Sequence, residues 1–147
     1  MRISTKGRYS LRILLDLARH RDDGYIPLKT IAEREGISKK YLDQIMLILN
    51  RTVFSKSTRG AQGGYKLAKA PAEYTLGDIL RLTEGSISRL VCLENNGEDS
   101  PRSSECTARC VWGGLEKVMT DYLDNMTLQD MLNQHDTILQ IHQIEKK

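Results

Sequence analysis

The length, composition and charge of the chain exclude several classes of protein. Its 147 residues, 39% of them hydrophobic, are enough for one domain with a core of moderate size. No apolar run approaches the roughly 18 residues that a membrane span requires, and segment 1–12 is polar and basic. The three cysteines all lie between Cys92 and Cys110, unlike those of a disulfide-stapled secreted domain. We therefore expect a cytoplasmic protein.

The net charge of +3 hides an asymmetry between the two halves of the chain. Residues 1–70 contain 15 Lys and Arg against six Asp and Glu, whereas residues 71–147 contain seven against 13. A basic half is a candidate surface for nucleic acid, although a chance excess of solvated lysines would give the same count.

The first 50 residues predict three helices. In the first, Thr5–His20, apolar residues recur at steps of three and four, the period of one buried face. A second, short helix begins at Leu28 and ends near Gly36, which suits a left-handed cap, and Ser38 caps the third helix. This pattern predicts a helix-turn-helix, although a hairpin within a helical bundle would resemble it.

A β-hairpin is predicted directly after the third helix. Val53–Thr58 and Tyr65–Ala68 have strand character, and the basic, glycine-rich turn Arg59–Gly64 joins them. The glycines do not fit a phosphate-binding loop, because no Gly-Lys-Ser/Thr follows and the turn does not open a helix. In this position the hairpin is the wing of a winged helix-turn-helix. A further helix is expected over Thr75–Glu84, with Thr75 as its N-cap.

The C-terminal part predicts a loop followed by a long helix. Hydrophobic periodicity is absent between Val91 and Val111, and from Trp112 an apolar stripe continues for about four turns. The stripe consists of Trp112, Leu115, Val118, Met119, Tyr122, Leu123 and Met126. A second copy of the chain is its most economical partner, and docking onto its own domain is the alternative. Residues Thr127–Asp130 start another short helix, with no sharp signal after about Asn133.

The predicted fold class is therefore mainly α with a small β-hairpin. A winged helix-turn-helix DNA-binding domain would occupy residues 1–84 and a cysteine-containing sensor loop residues 85–111. A long dimerisation helix and a C-terminal tail would follow over residues 112–147.

Four segments closely resemble the Rrf2 family of bacterial transcription regulators. They are Ile3–Tyr9, Ile37–Ile45, Arg59–Leu67 and Asn125–Leu128, in order and at plausible spacing along nearly the whole chain. The family includes regulators of iron–sulfur cluster assembly, nitric-oxide sensors that carry clusters, and cluster-free repressors of cysteine metabolism. The resemblance implies a homodimer that binds a roughly palindromic operator in double-stranded DNA.

Candidate DNA contacts lie on the third helix. Its buried side would contain Tyr41, Leu42, Ile45, Met46 and Leu49, and the residues expected to face the major groove are Ser38, Lys40, Tyr41, Asp43 and Gln44. Gln44 can pair with adenine, Lys40 can reach guanine or a phosphate, and Asp43 can accept from a cytosine amino group. Tyr41 fits the core or a phosphate contact equally well.

The wing supplies a second set of candidates. Arg59 suits a narrow, A/T-rich minor groove, where negative potential attracts a guanidinium, and the resemblance implies the same role. Gly60 lacks bulk, so the tip can enter a groove. Lys6 and Arg8 are phosphate candidates, or solvated charges.

Cys92, Cys106 and Cys110 are candidate metal ligands. Thiolates suit iron–sulfur clusters and zinc, and a [2Fe-2S] cluster is the leading hypothesis. Zinc binding and thiol redox sensing are alternatives. Cys92 could instead be buried in an apolar run, and Cys106 and Cys110, four residues apart, could form a thiol switch.

The cysteine spacing departs from that of the cluster-bearing relatives. Counted from Trp112, Cys106 matches their last cysteine, Arg109 matches the position of a histidine ligand, and Cys110 lies one residue beyond. Arg8 occupies the region where some relatives recruit an aspartate. The remaining candidates for a fourth ligand are Glu94, Asp99, Glu105, a solvent species or a small thiol.

The sequence thus predicts a repressor that senses cluster status or redox state. The alternative is a cluster-free regulator of sulfur metabolism controlled by thiol oxidation or a partner protein. An enzyme is not expected, because no nucleophile–base set or carboxylate dyad is apparent. His20, His135 and His142 are predicted to be isolated surface residues.

Overall fold

The structure, a computed structural model, describes residues 3–85, 87 and 108–145, with side chains described as far as residue 136. The helices are α1 (Thr5–Arg19), α2 (Leu28–Glu35), α3 (Lys39–Arg51), α4 (Leu76–Glu84), α5 (Ala108–Asn125) and α6 (Leu128–Glu145). Strands β1 (Ser55–Thr58) and β2 (Gly64–Leu67) form an antiparallel hairpin. The predicted fold class is confirmed. Among the described helices, none is both long and apolar enough to cross a membrane.

The ends of the first three helices follow from local chemistry. The Ser4 hydroxyl accepts from the amide of Gly7 at 3.2 Å, and the Ser38 hydroxyl accepts from that of Tyr41 at 3.4 Å. Both hydroxyls satisfy donors that a helix leaves unpaired at its start. Gly36 ends α2 in the left-handed conformation, with φ 64° and ψ 33°. The two predicted capping residues of the helix-turn-helix, Gly36 and Ser38, are confirmed.

One hydrophobic core joins α1 to every part of the winged domain. Its fully buried side chains are Ile13, Leu14 and Leu17 of α1, Ile31 of α2, Leu42, Ile45, Met46 and Leu49 of α3, Ile79 of α4 and Leu128 of α6. Burial of such side chains stabilises the fold by about 1.5–3 kcal/mol each. The apolar side predicted for the third helix is confirmed, with Tyr41 only half-buried at its edge.

The hairpin begins two residues later than predicted. Val53 and Phe54 form a turn, in which Val53 has φ +60° and the amide of Phe54 donates to the carbonyl of Leu49 at 2.9 Å. That bond closes the end of α3, so the strand starts at Ser55. Valine has a high strand propensity, but propensity does not show where the chain reverses direction, so the predicted strand began too early.

Tyr74 fastens the hairpin to the start of the next helix. Its hydroxyl donates to the carbonyl of Phe54 at 2.8 Å and accepts from the amide of Lys69 at 2.9 Å. The rings of Tyr74 and Phe54 meet edge to face, with centroids 5.4 Å apart. Burial is the main reason that the pKa of the Tyr74 phenol is raised. The neutral phenol is therefore the form that the fold favours.

The segment before α2 adds a short pairing to the hairpin. The amide of Ile26 donates to the carbonyl of Tyr65 at 2.9 Å, and the amide of Tyr65 donates back at 2.8 Å. A Cβ atom on Gly64 would collide with the carbonyl of Ile26. Glycine at this position thus allows close backbone contact between the wing and the rest of the domain.

The turn between the last two helices is bonded to the start of α4. The amide of Leu76 donates to the carbonyl of Met126 at 2.8 Å, and that of Leu128 donates to the carbonyl of Tyr74 at 3.0 Å. The Thr127 hydroxyl and the Asp130 carboxylate cap α6. The predicted start of this helix is confirmed, but its predicted shortness is wrong, since it extends over 18 residues.

A charged contact reinforces this junction. Arg81 of α4 lies 2.7 Å from a carboxylate oxygen of Asp124, and that hydrogen bond lowers the pKa of the Asp124 carboxyl. A Cβ atom on Gly77 would occupy the position of the same carboxylate. The missing side chain therefore lets α4 and α5 approach closely.

The apolar stripe of α5 is divided between two environments. Leu123 is buried in the chain's own domain, and Met119 and Met126 are half-buried. On α5 the exposed large hydrophobic residues are Val111, Trp112, Leu115, Val118 and Tyr122. Among the described residues, contacts within the same chain thus cover one edge of the stripe and leave the other edge exposed.

We predict that Val53→Gly raises the free energy of unfolding by up to about 1 kcal/mol. A β-branched side chain is strained at φ +60°, and Val53 is 60% exposed, so little packing is lost. Denaturant unfolding measures the change. Val53→Ala is the control and should gain less, because alanine keeps a Cβ atom. A destabilised Val53→Gly protein would contradict the assigned backbone strain.

Candidate nucleic-acid interface

The helix-turn-helix is held against α1 by two arginines. Arg12 donates from Nε to a carboxylate oxygen of Glu35 at 2.8 Å and from Nη2 to the Glu35 backbone carbonyl at 2.7 Å. The second bond satisfies a carbonyl at the end of α2, where intrahelical donors are lacking. This end of α2 sets the direction in which the chain enters α3.

The second contact is built around a buried carboxylate. The side chain of Asp16 in α1 is only 4% exposed, and Arg34 of α2 donates to it at 2.8 Å. His20 lies 3.4 Å from the same carboxylate, and its Nδ1 is 2.8 Å from the Asp16 carbonyl. The prediction that His20 is an isolated surface residue is therefore wrong. Periodicity places His20 at the end of a helix but cannot show that a carboxylate faces it.

Helix α3 presents a polar face to solvent. Lys40, Asp43 and Gln44 are exposed, and within the described residues none of their side chains forms a hydrogen bond or an ion pair. Unpartnered polar groups on a recognition helix are available to read base edges. Three of the five groove residues predicted on this helix thus lie together and are accessible.

The other two predicted groove residues already have structural roles. The Ser38 hydroxyl caps α3, although the residue is exposed. The Tyr41 ring is half-buried and packs edge to face against Tyr9 of α1, with centroids 5.8 Å apart. Arg12 also lies over the Tyr9 ring, at 5.4 Å. Tyr41 therefore contributes to packing at the edge of the domain.

The wing tip is exposed at both predicted positions. Arg59 and Gly60 are accessible, and the Arg59 side chain has no ion pair within the described part of the chain. Gly60 has φ +106°, a backbone conformation that side chains disfavour. Its carbonyl accepts from the amide of Gly63 at 2.9 Å, which closes the turn behind Arg59.

Asn50 connects the recognition helix to the wing and was not identified from the sequence. Its amide nitrogen donates to the Ser57 hydroxyl at 3.1 Å, and its amide oxygen accepts from the Ser55 hydroxyl at 2.5 Å. The only available signal was an asparagine in the last turn of a helix that precedes a serine-rich strand. Asn50 is thus a positioning residue, which relates α3 to β1.

The structure describes one of the three cysteines. Cys110 is exposed and free, and it lies within α5, which begins at Ala108. Residues 108–111, which the sequence assigns to the sensor loop, are helical in the structure. Cys92 and Cys106 lie outside the described residues. In the ranges that the structure covers, no three His, Cys, Asp or Glu side chains are grouped as for a metal ion.

The other candidates are partly described. Arg8 is exposed and Lys6 is half-buried near the start of α1. His135 is exposed on α6, 3.7 Å from Asp136, as expected for a surface residue. The side chain of His142 lies outside the described residues.

Comparison with known proteins identifies the family. The family model for Rrf2, described as an iron-dependent transcriptional regulator, matches residues 3–134. The chain belongs to the Rrf2 family. This family consists of transcriptional regulators, which are generally not enzymes.

Rrf2 proteins of different kinds are similarly close to this chain. The protein rrf2 of Nitratidesulfovibrio vulgaris is 36% identical over 90% of this chain and 87% of that protein. The regulator CymR of Bacillus subtilis is 38% identical over 92% and 93% of the two chains. The structure of T. potens IscR matches with a TM-score of 0.73 and 38% identity, covering 92% of this chain and 88% of that one.

We predict that, in this Rrf2 regulator, Arg34→Ala lowers the free energy of unfolding by about 1–3 kcal/mol. The substitution leaves the buried Asp16 carboxylate without its closest cation. Lys29→Ala on the same helix is the control, because the Lys29–Glu33 pair is exposed and 3.8 Å apart. Equal unfolding midpoints for the two variants in urea would argue against the role given to Arg34.

Proposed function

We propose that this Rrf2 regulator binds a palindromic operator as a homodimer and acts as a repressor. The observation that carries the proposal is the exposed, unpartnered row Lys40, Asp43 and Gln44 on α3, combined with exposed Arg59 on the wing. A recognition helix and a wing on one small domain can contact a major groove and the adjacent minor groove.

The three polar side chains of α3 would read base edges in the major groove. The Gln44 amide can make two hydrogen bonds to adenine, Lys40 can donate to guanine or a phosphate, and Asp43 can accept from a cytosine amino group. Ser38 and Tyr41 would lie at the margin of this contact, with capping and packing as their main roles.

The wing would contribute an electrostatic contact. The guanidinium of Arg59 suits the narrow minor groove of an A/T-rich tract, and Gly60 leaves room for the backbone to approach the DNA. Because Asn50 bonds to both serines of β1, it would keep the wing at a fixed distance from α3.

The dimer would form through the uncovered edge of α5. Trp112, Leu115, Val118 and Tyr122 recur at steps of three or four and are exposed, which is costly for a contiguous apolar row in water. A two-fold axis through this row would pair it with itself. The two recognition helices would then face successive half-sites of the operator.

The cysteines would make the regulator a sensor. A [2Fe-2S] cluster would be held by Cys92, Cys106, Cys110 and a fourth ligand, and it would supply iron that responds to redox state. The exposed, free Cys110 thiol is chemically suited to such a ligand set. Its helix also carries the dimer stripe, so a change at residue 110 could alter the spacing of the two half-sites.

A cluster-free mechanism is the second candidate. The similarity to CymR, which covers nearly the whole of both chains, favours it. The solved structure of that protein, described as the global cysteine regulator of B. subtilis, matches with a TM-score of 0.71 and 37% identity. In this mechanism, thiol oxidation or a partner protein would control DNA binding.

Arg59→Ala should weaken operator binding by about 1–3 kcal/mol at fixed salt, because a guanidinium would leave the groove. Fluorescence anisotropy with a selected operator measures the loss. Arg21→Ala is the matched control, since Arg21 is exposed in a short 3₁₀ helix, Arg21–Asp23, which follows α1 and lies close to α6. Unchanged affinity for Arg59→Ala would remove the wing from the interface.

Leu115→Glu should convert the dimer into a monomer of 16.7 kDa, because a carboxylate would be buried against its symmetry mate. Analytical ultracentrifugation measures the mass. Lys117→Glu introduces the same side chain about 200° around the helix and should leave the dimer intact. A dimeric Leu115→Glu protein would show that the interface lies elsewhere.

Anaerobically purified protein should be coloured and contain iron and acid-labile sulfide, and Cys106→Ser should lose all three properties. Absorption spectroscopy with iron and sulfide analysis tests this. A colourless protein without iron would exclude the cluster mechanism and support control by a thiol or a partner.

A further inference from the structure

Leu47 is an exposed leucine on the polar face of α3. Its exposed fraction is 58%, although the other exposed residues of this helix are all polar. They are Lys39, Lys40, Asp43, Gln44 and Arg51. The hydrophobic pattern used to predict the core does not include Leu47, and the core does not use it.

Helix geometry places Leu47 on the groove-facing side of α3, one turn beyond Asp43 and Gln44. At 3.6 residues per turn, Leu47 lies about 20° from Lys40 around the helix axis and between Asp43 and Gln44. It is about 140° from the fully buried Leu42 and about 160° from the fully buried Leu49. A DNA groove that receives Asp43 and Gln44 would therefore also face Leu47, which lies one helical turn further along α3.

A leucine in this position restricts the base that it can face. Its side chain cannot form a hydrogen bond. A base amino group or ring nitrogen that it covered would therefore lose its hydrogen bond to water without gaining a new partner. In the major groove, the apolar group that a base pair presents is the C5-methyl group of thymine. Burial of that methyl against a leucine side chain is favourable.

We propose that Leu47 is a specificity-determining residue that selects thymine by contact with its C5-methyl group. The selected thymine lies in each half-site, next to the base pairs read by Asp43 and Gln44. This assignment rests on the proposed operator binding, and it adds an apolar contact to a polar set. A leucine that is merely exposed, as single surface hydrophobic residues often are, is the competing explanation.

The test uses an operator selected from random DNA with the full-length protein. Each thymine of the selected site is replaced in turn by deoxyuridine, which removes the methyl group and keeps the pairing edge. At one thymine per half-site, we expect deoxyuridine to weaken binding about four-fold. Selection that enriches no sequence would refute operator binding itself, and the Leu47 proposal with it.

Two variants connect that thymine to Leu47. Leu47→Ala should bind the thymine and deoxyuridine operators equally, because its side chain no longer reaches the methyl group. Leu47→Met, which keeps an apolar side chain of similar volume, should retain most of the discrimination. Both substitutions are at an exposed position, so folding should be unaffected.

Two outcomes would overturn the proposal while leaving operator binding intact. One is a wild-type protein that binds the selected site but is indifferent to deoxyuridine at every position. The other is a Leu47→Ala protein that still discriminates at the same thymine to the same extent, which would assign the methyl contact to another residue.

Discussion

The structure depends on the ability of helix α1 to contact five different elements at once. It packs against α2, α3, β2, α4 and α6, and each contact demands a different surface. Apolar side chains such as Leu14 fill the core, whereas Gly7 meets α4, where a Cβ atom would collide with Glu84. Asp16 is buried on the same helix and binds Arg34. Because α1 contacts all of these elements, it fixes the position of the recognition helix relative to the C-terminal helices.

The junction of α5 and α6 fixes the candidate dimer surface relative to the winged domain. Backbone bonds from Leu76 to Met126 and from Leu128 to Tyr74 tie the junction to the start of α4. The Arg81–Asp124 contact lies beside them and keeps the pKa of the aspartate low. With these constraints, α5 cannot turn freely relative to the winged domain. A rigid link of this kind is what a regulator needs if a chemical change near Cys110 is to alter the separation of two recognition helices.

The candidate interface contains two kinds of residue. The first kind has exposed side chains that can contact bases, and the second kind positions the elements that carry them. Lys40 and Gln44 are unpartnered, while Asn50 binds the wing and Tyr41 packs on Tyr9. Residues of the second kind would affect DNA binding through geometry without touching a base. Leu47 belongs to the first kind despite its apolar side chain, because it lies on the same side of α3 as Lys40 and Gln44. Sequence selectivity in this protein would therefore combine hydrogen bonds with one hydrophobic contact.

The sequence by itself determined the features that depend on neighbours along the chain. Periodicity located the helices, Gly36 and Ser38 marked the turn of the helix-turn-helix, and the exposed face of α3 followed from residue types three and four apart. Tertiary structure alone decided which distant groups meet. It paired His20 with Asp16, joined Asn50 to the wing and divided the α5 stripe at Leu123. These outcomes depend on packing between separate elements, and helical periodicity carries no information about which element will face another.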